Sequence, residues 1–273
     1  LVDKRHPLTA RTTVNRFWQM YFGQGLVRSS EDLGIQGTRP SHPQLLDWLA
    51  TEFIRTGWDV KAMQRLIVTS RTYRQSSRVT QDLLDRDPEN RWLARGPSLR
   101  LSAELIRDQA LAASGLLVNS VGGPSVKPYQ PQGLWREVAF DFAGAALTAQ
   151  IYKPDKGSKL YRRGMYTFWK RTSPPPSMLL FDAPDRERCV VRRERTTSPL
   201  QALYLSNSTT FIEASRKVAE RIMSSSQSSA DRIRLAFRLI VTRLPSEDEI
   251  ALIEGLMQRR KMTFEKNKKC FDN

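Results

Sequence analysis

Apolar residues recur at three- and four-residue steps from near the start of the chain. In "TARTTVNRFWQMYF", Ala10, Val14, Phe17, Trp18, Tyr21 and Phe22 share one side of a helix that Gly23 stops. "SHPQLLDWLATEFI" repeats the pattern, with Ser41 as cap, Pro43 in the first turn and Leu45, Trp48, Leu49 and Phe53 on one side. Asp59 then caps "VKAMQRLIVTSRTY", where Val60, Met63, Leu66 and Ile67 face inward and Arg65, Arg71 and Arg74 do not. After the turn-rich "DRDPENR", Ser102 caps "AELIRDQALAASGLL", and three glycines and three prolines make "VGGPSVKPYQPQG" a loop.

The period changes once. In "YRRGMYTFWKR", Tyr166 and Phe168 alternate with Met165, Thr167 and Trp169, which predicts a short strand or hairpin around 160–170. Helical spacing then returns, with Pro199 opening "LQALYLS" and Phe211, Ile212, Ser215, Val218, Ala219 and Ile222 lining the helix after Asn207. Beyond the serine-rich "SSSQSS", a helical hairpin turns at "TRLPSEDE", where Ser246 and Glu249 have the spacing of a capping box and Ile250, Ile253, Leu256 and Met257 form the inward stripe. Helices outnumber strands, so the expected class is mainly α, a multi-helix domain ending in a helical hairpin.

Composition adds charge to this picture. The 273 residues are 40% hydrophobic, enough for a real core, and carry a net charge of +16. The excess runs along the whole chain and is densest over 151–200, with twelve Lys/Arg against five Asp/Glu. Such a balance points to anionic partners or to a solvated cationic surface. Two cysteines, Cys189 and Cys270, and two histidines, His6 and His42, give no metal-ligand spacing, and a 189–270 bridge has no framework around it. No metal or cofactor is expected in this chain. No apolar run reaches membrane length and no signal peptide opens the chain; Leu1 in place of a methionine reads as the start of a piece of something longer.

The densest chemistry lies in "WKRTSPPPSMLLFDAPDRERC" and the arginines after it. Asp182 and Asp185 are candidate acid/base carboxylates and Cys189 a candidate nucleophile, although a thiol without a neighbouring histidine lacks the usual base. Capping and turn formation are the duller roles for the aspartates, and core packing for the cysteine. Arg162, Arg163, Arg192, Arg193 and Arg195 form the candidate anion clamp, with Trp169 beside them as a stacking surface; salt bridges to nearby carboxylates are the alternative. Trp135 is a second stacking candidate, while Trp18 and Trp48 fall in helical stripes and are expected in the core. Pro174 to Pro176 should pin an extended turn next to the arginines. Patterns for phosphate-binding loops, nucleophile elbows, zinc fingers and RNA-recognition strands are all missing, so basicity alone carries a nucleic-acid reading.

Read in order, "HPLTARTTVNRFWQMYFGQGLV", "HPQLLDWLATEFI", "LIVTSRTYRQSS", "LYRRGMYTFWKRTSPPPSMLLFDAPDRERCVVRRERTTSPLQAL" and "FRLIVTRLPSEDEI" resemble the family catalogued as domain of unknown function 1553, abundant in planctomycetes. The resemblance spans about His6 to Leu256 and implies no assigned reaction. It implies a single family domain over 1–262, which the turn-rich seams of the sequence divide into lobes at 1–75, 99–223 and 230–260; the basic tail at 263–273 resembles nothing in the family and is expected to be poorly ordered. It also implies a C-terminal module of a large exported protein, periplasmic or extracellular, whose other domains include a cytochrome-c-like one, so that any haem would sit in an attached domain. Met20 and Tyr21 stand where relatives often carry a histidine before "FG", which argues against a haem or metal role there. The expected function is binding of an anionic ligand, an acidic or sulfated glycan, or a neighbouring domain of the same polypeptide. An enzyme of acidic polysaccharides using Asp182 and Asp185 is the alternative, and export argues against nucleic acid as a partner.

Overall fold

A computed structural model describes the chain except Lys4 and residues 138–150, 226–227 and 272–273; the side chains of 266–271 also lie outside the description. Eleven α-helices are present among the described residues: α1 Thr9–Phe22, α2 Pro43–Arg55, α3 Val60–Thr69, α4 Gln81–Arg86, α5 Ala103–Ser114, α6 Leu134–Glu137, α7 Pro176–Leu179, α8 Pro199–Asn207, α9 Thr209–Ser225, α10 Ser229–Ile240 and α11 Glu247–Phe271. The fold is mainly α. It divides into two compact units, Leu1–Arg100 with Cys189–Arg192, and Leu101–Arg188 with Arg193–Asn273.

The first unit is built by α1, α2 and α3. Ala10, Val14 and Trp18 of α1 meet Leu46, Leu49, Ala50 and Phe53 of α2 and Met63 and Ile67 of α3 in one apolar cluster. Asp59 caps α3 as expected, its carboxylate accepting from the Ala62 N–H at 3.0 Å. Ser41 does not cap α2; its backbone N–H and hydroxyl both bond the Leu26 carbonyl, and His42 takes the cap position. Trp48 departs from expectation, at 53% exposed, because the inward phase of α2 is 46, 49, 50 and 53, and residue 48 falls nearly half a turn off that line. The core also holds a polar bracket. Buried Asn15 accepts from the Val27 N–H at 2.9 Å and donates to the Val27 carbonyl at 3.0 Å. Gly25 makes this approach feasible, since a Cβ there would lie 2.6 Å from the Asn15 amide.

In the second unit α5 packs against α9, and α9, α10 and α11 follow one another. The inward face of α9 is Thr210, Ala214 and Val218; Ile212, placed on it by spacing, is 54% exposed. The strand expected around 160–170 is instead two 3-10 turns, Gly157–Tyr161 and Gly164–Tyr166, tied by isolated parallel bridges Val118 to Arg162 and Val126 to Thr167. Gly164 explains the change. Its N–H donates to the Asp108 carboxylate at 2.5 Å, and an added Cβ would meet the Glu104 backbone at 3.0 Å, so the chain is drawn onto α5 instead of extending along a neighbour.

The hairpin between α10 and α11 is the one the spacing predicts. Glu249 Oε2 accepts from the Ser246 N–H at 2.9 Å and the Ser246 hydroxyl accepts from the Glu249 N–H at 3.3 Å, while Arg243 grips the same carboxylate at 2.6 and 2.7 Å. Ile250 is buried, but Leu256 and Met257, expected on the inward stripe, are 45% and 48% exposed. The bonds from Arg243, then from Ser246, pull the Glu249 carboxyl from 4.5 down to about 2. A folded value below the unfolded one stabilises the fold fully above pH 4.5, and that contribution is lost as pH falls toward 2. Glu249→Gln should therefore flatten the acid limb of stability in that window, read as urea midpoint against pH; an unchanged slope would contradict the pairing.

Candidate functional site

The three prolines start local structure as well as pinning it. Pro175 is extended, with φ −59° and ψ 119°, and Pro176 is the first residue of α7, where its missing N–H costs nothing. This single turn delivers Met178, Phe181 and Ala183 into a second apolar cluster with Ala103 of α5. Asp182 leaves the turn in the left-handed region at φ 60°, a conformation asparagine and aspartate tolerate better than most side chains. Its carboxylate accepts from the Thr196 N–H at 2.8 Å and the Thr196 hydroxyl at 2.9 Å, a closure 14 residues apart in sequence. Asp185 does two local jobs: its side chain accepts from the Glu187 N–H at 3.0 Å, and its carbonyl accepts from the Trp169 indole N–H at 3.0 Å. Both carboxylates thus hold turns.

Trp169 packs partly buried against the Met178 and Phe181 cluster, and the Arg186 guanidinium lies 4.4 Å from its ring centroid. Arg186 is exposed and also left-handed, at φ 69°. Cys189 is an exposed, unbridged thiol, and the Cys270 side chain lies outside the described residues. Cys189 and Arg192 fall in the first unit, whereas Asp182 and Asp185 fall in the second.

The candidate arginines have separate roles. Arg162, 7% exposed, donates to the carbonyls of Pro124 at 2.7 Å, Ser120 at 3.2 Å and Gly122, and lies 3.9 Å from the Tyr166 ring centroid. It fastens the 118–133 loop. Arg163 Nε sits 3.7 Å from Asp108. Arg193 forks both oxygens of Glu104 at 2.9 and 3.0 Å. Burial favours the neutral Glu104 carboxyl, yet bonds to its own backbone N–H and to Arg193 carry its pKa below the ordinary value. Arg192 and Arg195 are exposed. Trp135 is no open stacking surface: at 5% exposed it packs edge-on against Tyr152 at 5.1 Å, with the Lys127 and Lys170 ammoniums 5.3 and 4.7 Å from its ring centroid.

The residue pattern missed the pair that organises this region. Arg107 donates to the Arg162 carbonyl at 2.6 Å and the Leu160 carbonyl at 2.5 Å, and Asp108 beside it holds Gly164. The signal was available: Arg107 stands four residues from Ala103 and four from Leu111, both buried, on the inward line of α5. Desolvation lowers its pKa from the usual arginine value. Among the described residues no group of His, Cys, Asp and Glu is arranged to hold a metal ion, and no helix is long and apolar enough to cross a membrane.

Residues 1–257 match the model of a family described as a protein of unknown function, DUF1553, or PSD1. No curated protein and no solved structure matches the chain.

Proposed function

Since the chain belongs to the PSD1 family of unknown function, DUF1553, we propose that it is a binding module of a larger exported protein, taking an acidic or sulfated glycan. The observation that carries this reading is Arg186 laid on Trp169, whose indole is fixed in turn by the Asp185 carbonyl. A guanidinium held in place before binding loses little freedom on meeting a sulfate or carboxylate, and an adjacent aromatic edge suits a sugar ring. Arg188, Arg193 and Arg195 extend the exposed basic run on the same strip of chain, against Glu187 and Glu194. The net charge of +16 would draw a polyanion toward the surface. Asp182 and Asp185, bonded into turns, fit bracing of this strip better than proton transfer.

Retention on a sulfated polysaccharide at low salt, falling as salt rises, is the expected behaviour. Arg186→Gln with Arg188→Gln should weaken that binding about tenfold, or ~1.4 kcal/mol, with the fold unchanged by circular dichroism. Affinity equal to the parent chain would defeat the glycan reading; binding confined to an acidic neighbouring domain of the parent polypeptide would replace it.

A further inference from the structure

The second unit contains a narrow, open cleft between α5, α7 and the α8–α9 junction. Ile106, Met178, Phe181 and Phe211 give it apolar walls, and Arg107, Ser177 and Thr210 give it polar atoms. We infer that this cleft binds a small monocarboxylate with an apolar body, its carboxylate received by Arg107.

The argument begins with charge. The Arg107 side chain is 9% exposed, and its two terminal nitrogens donate to carbonyl oxygens, which satisfy hydrogen bonds without cancelling a charge. Its Nε–H is buried and has no hydrogen-bond partner among the described residues. Asp108 lies 3.9 Å from Arg107, but the same carboxylate bonds the Gly164 N–H and faces Arg163 Nε at 3.7 Å. One carboxylate thus serves two guanidiniums, and these three residues keep one positive charge in excess. Retaining a buried charge with an unused donor is costly unless an anion completes it.

The lining then narrows the class. A single excess charge matches a monoanion better than a dianion, and the four apolar walls would desolvate a phosphate or a sugar at a loss. A carboxylate can take one oxygen to the guanidinium and the other toward the Ser177 or Thr210 hydroxyl, leaving its hydrocarbon part against Met178 and Phe181. This site is separate from Trp169 and Arg186, so it stands or falls without the glycan reading.

The probes are benzoate and its neutral counterpart benzamide, titrated into the full chain and followed by calorimetry and by the shift in melting temperature. Benzoate should bind saturably at millimolar concentration or tighter and raise the melting temperature, with benzamide at least about tenfold weaker. Arg107→Met should abolish the discrimination, but it also frees two buried carbonyls and is open to misfolding. Ser177→Leu therefore serves as the second variant, since it fills the cleft and leaves Arg107 intact; benzoate binding should drop about tenfold or more on a folded chain. Arg186→Gln with Arg188→Gln should bind benzoate as the parent does, which separates this site from the glycan strip. Equal affinity for benzoate and benzamide, undiminished binding in Ser177→Leu, or no saturation at millimolar benzoate would each overturn the assignment.

Discussion

Phe53→Ala should destabilise the first unit by about 3–5 kcal/mol. Phe53 is 2% exposed and sits where the stripes of α1 and α2 meet, edge-on to Phe17 at 5.8 Å between ring centroids and to Trp58 at 5.1 Å. Truncation removes the apolar surface of the ring and leaves a void that the close-packed helices only partly close, so transfer and cavity costs add. Losing two edge-on contacts adds to this, each about 0.5–1.5 kcal/mol beyond the area effect. The control is Trp48→Ala, a larger aromatic deletion on the same helix, expected within about 0.5 kcal/mol because Trp48 is 53% exposed. Urea unfolding of the full chain, followed by tryptophan fluorescence for Phe53→Ala and by circular dichroism for both, measures the difference. Equal losses for the two variants would mean that burial does not set the ranking and that the α1–α2 interface is not the centre of this unit.

That contrast shows what the residue order could and could not say. Caps and stripe periods are local, decided within four residues, and so Asp59 on α3, the Ser246–Glu249 box and the α1 stripe were all readable. Stripe phase was less so. Trp48, Ile212, Leu256 and Met257 are apolar and helically spaced, yet exposed, because hydrophobicity marks residues that can be buried without saying which face a partner covers. The 160–170 segment departs from its sequence pattern for another reason. Its alternation is real, but its conformation is imposed from α5, where Arg107 seizes carbonyls 53 and 55 residues away and Asp108 seizes Gly164. The candidate site follows the same rule. Its residue types were visible, and so was the kinship to the family; the division of labour was not, since Asp182 is committed to Thr196 and Arg193 to Glu104 by contacts 14 and 89 residues long.

Arg162 tests that division most sharply, because sequence made it a ligand residue and structure makes it a clamp. Arg162→Ala should cost about 2–4 kcal/mol. It removes one guanidinium from the carbonyls of Ser120, Gly122 and Pro124, and removes its stacking on Tyr166, whose hydroxyl accepts from the Gly122 N–H at 2.8 Å. The loop those groups define holds three glycines and three prolines between 121 and 133, so it has little regular backbone bonding of its own to fall back on. Arg162→Lys should be nearly as damaging, since an ammonium cannot span three carbonyls in the plane of a guanidinium fork and would leave its charge buried with fewer acceptors. Urea midpoints of both variants give the stability change, and glycan affinity measured well below their melting temperatures gives the functional one. A clamp predicts large stability losses with affinity kept; a ligand arginine predicts the reverse. Near-parent stability with binding lost would therefore return Arg162 to the anion site and take from the loop the contact that now accounts for its order.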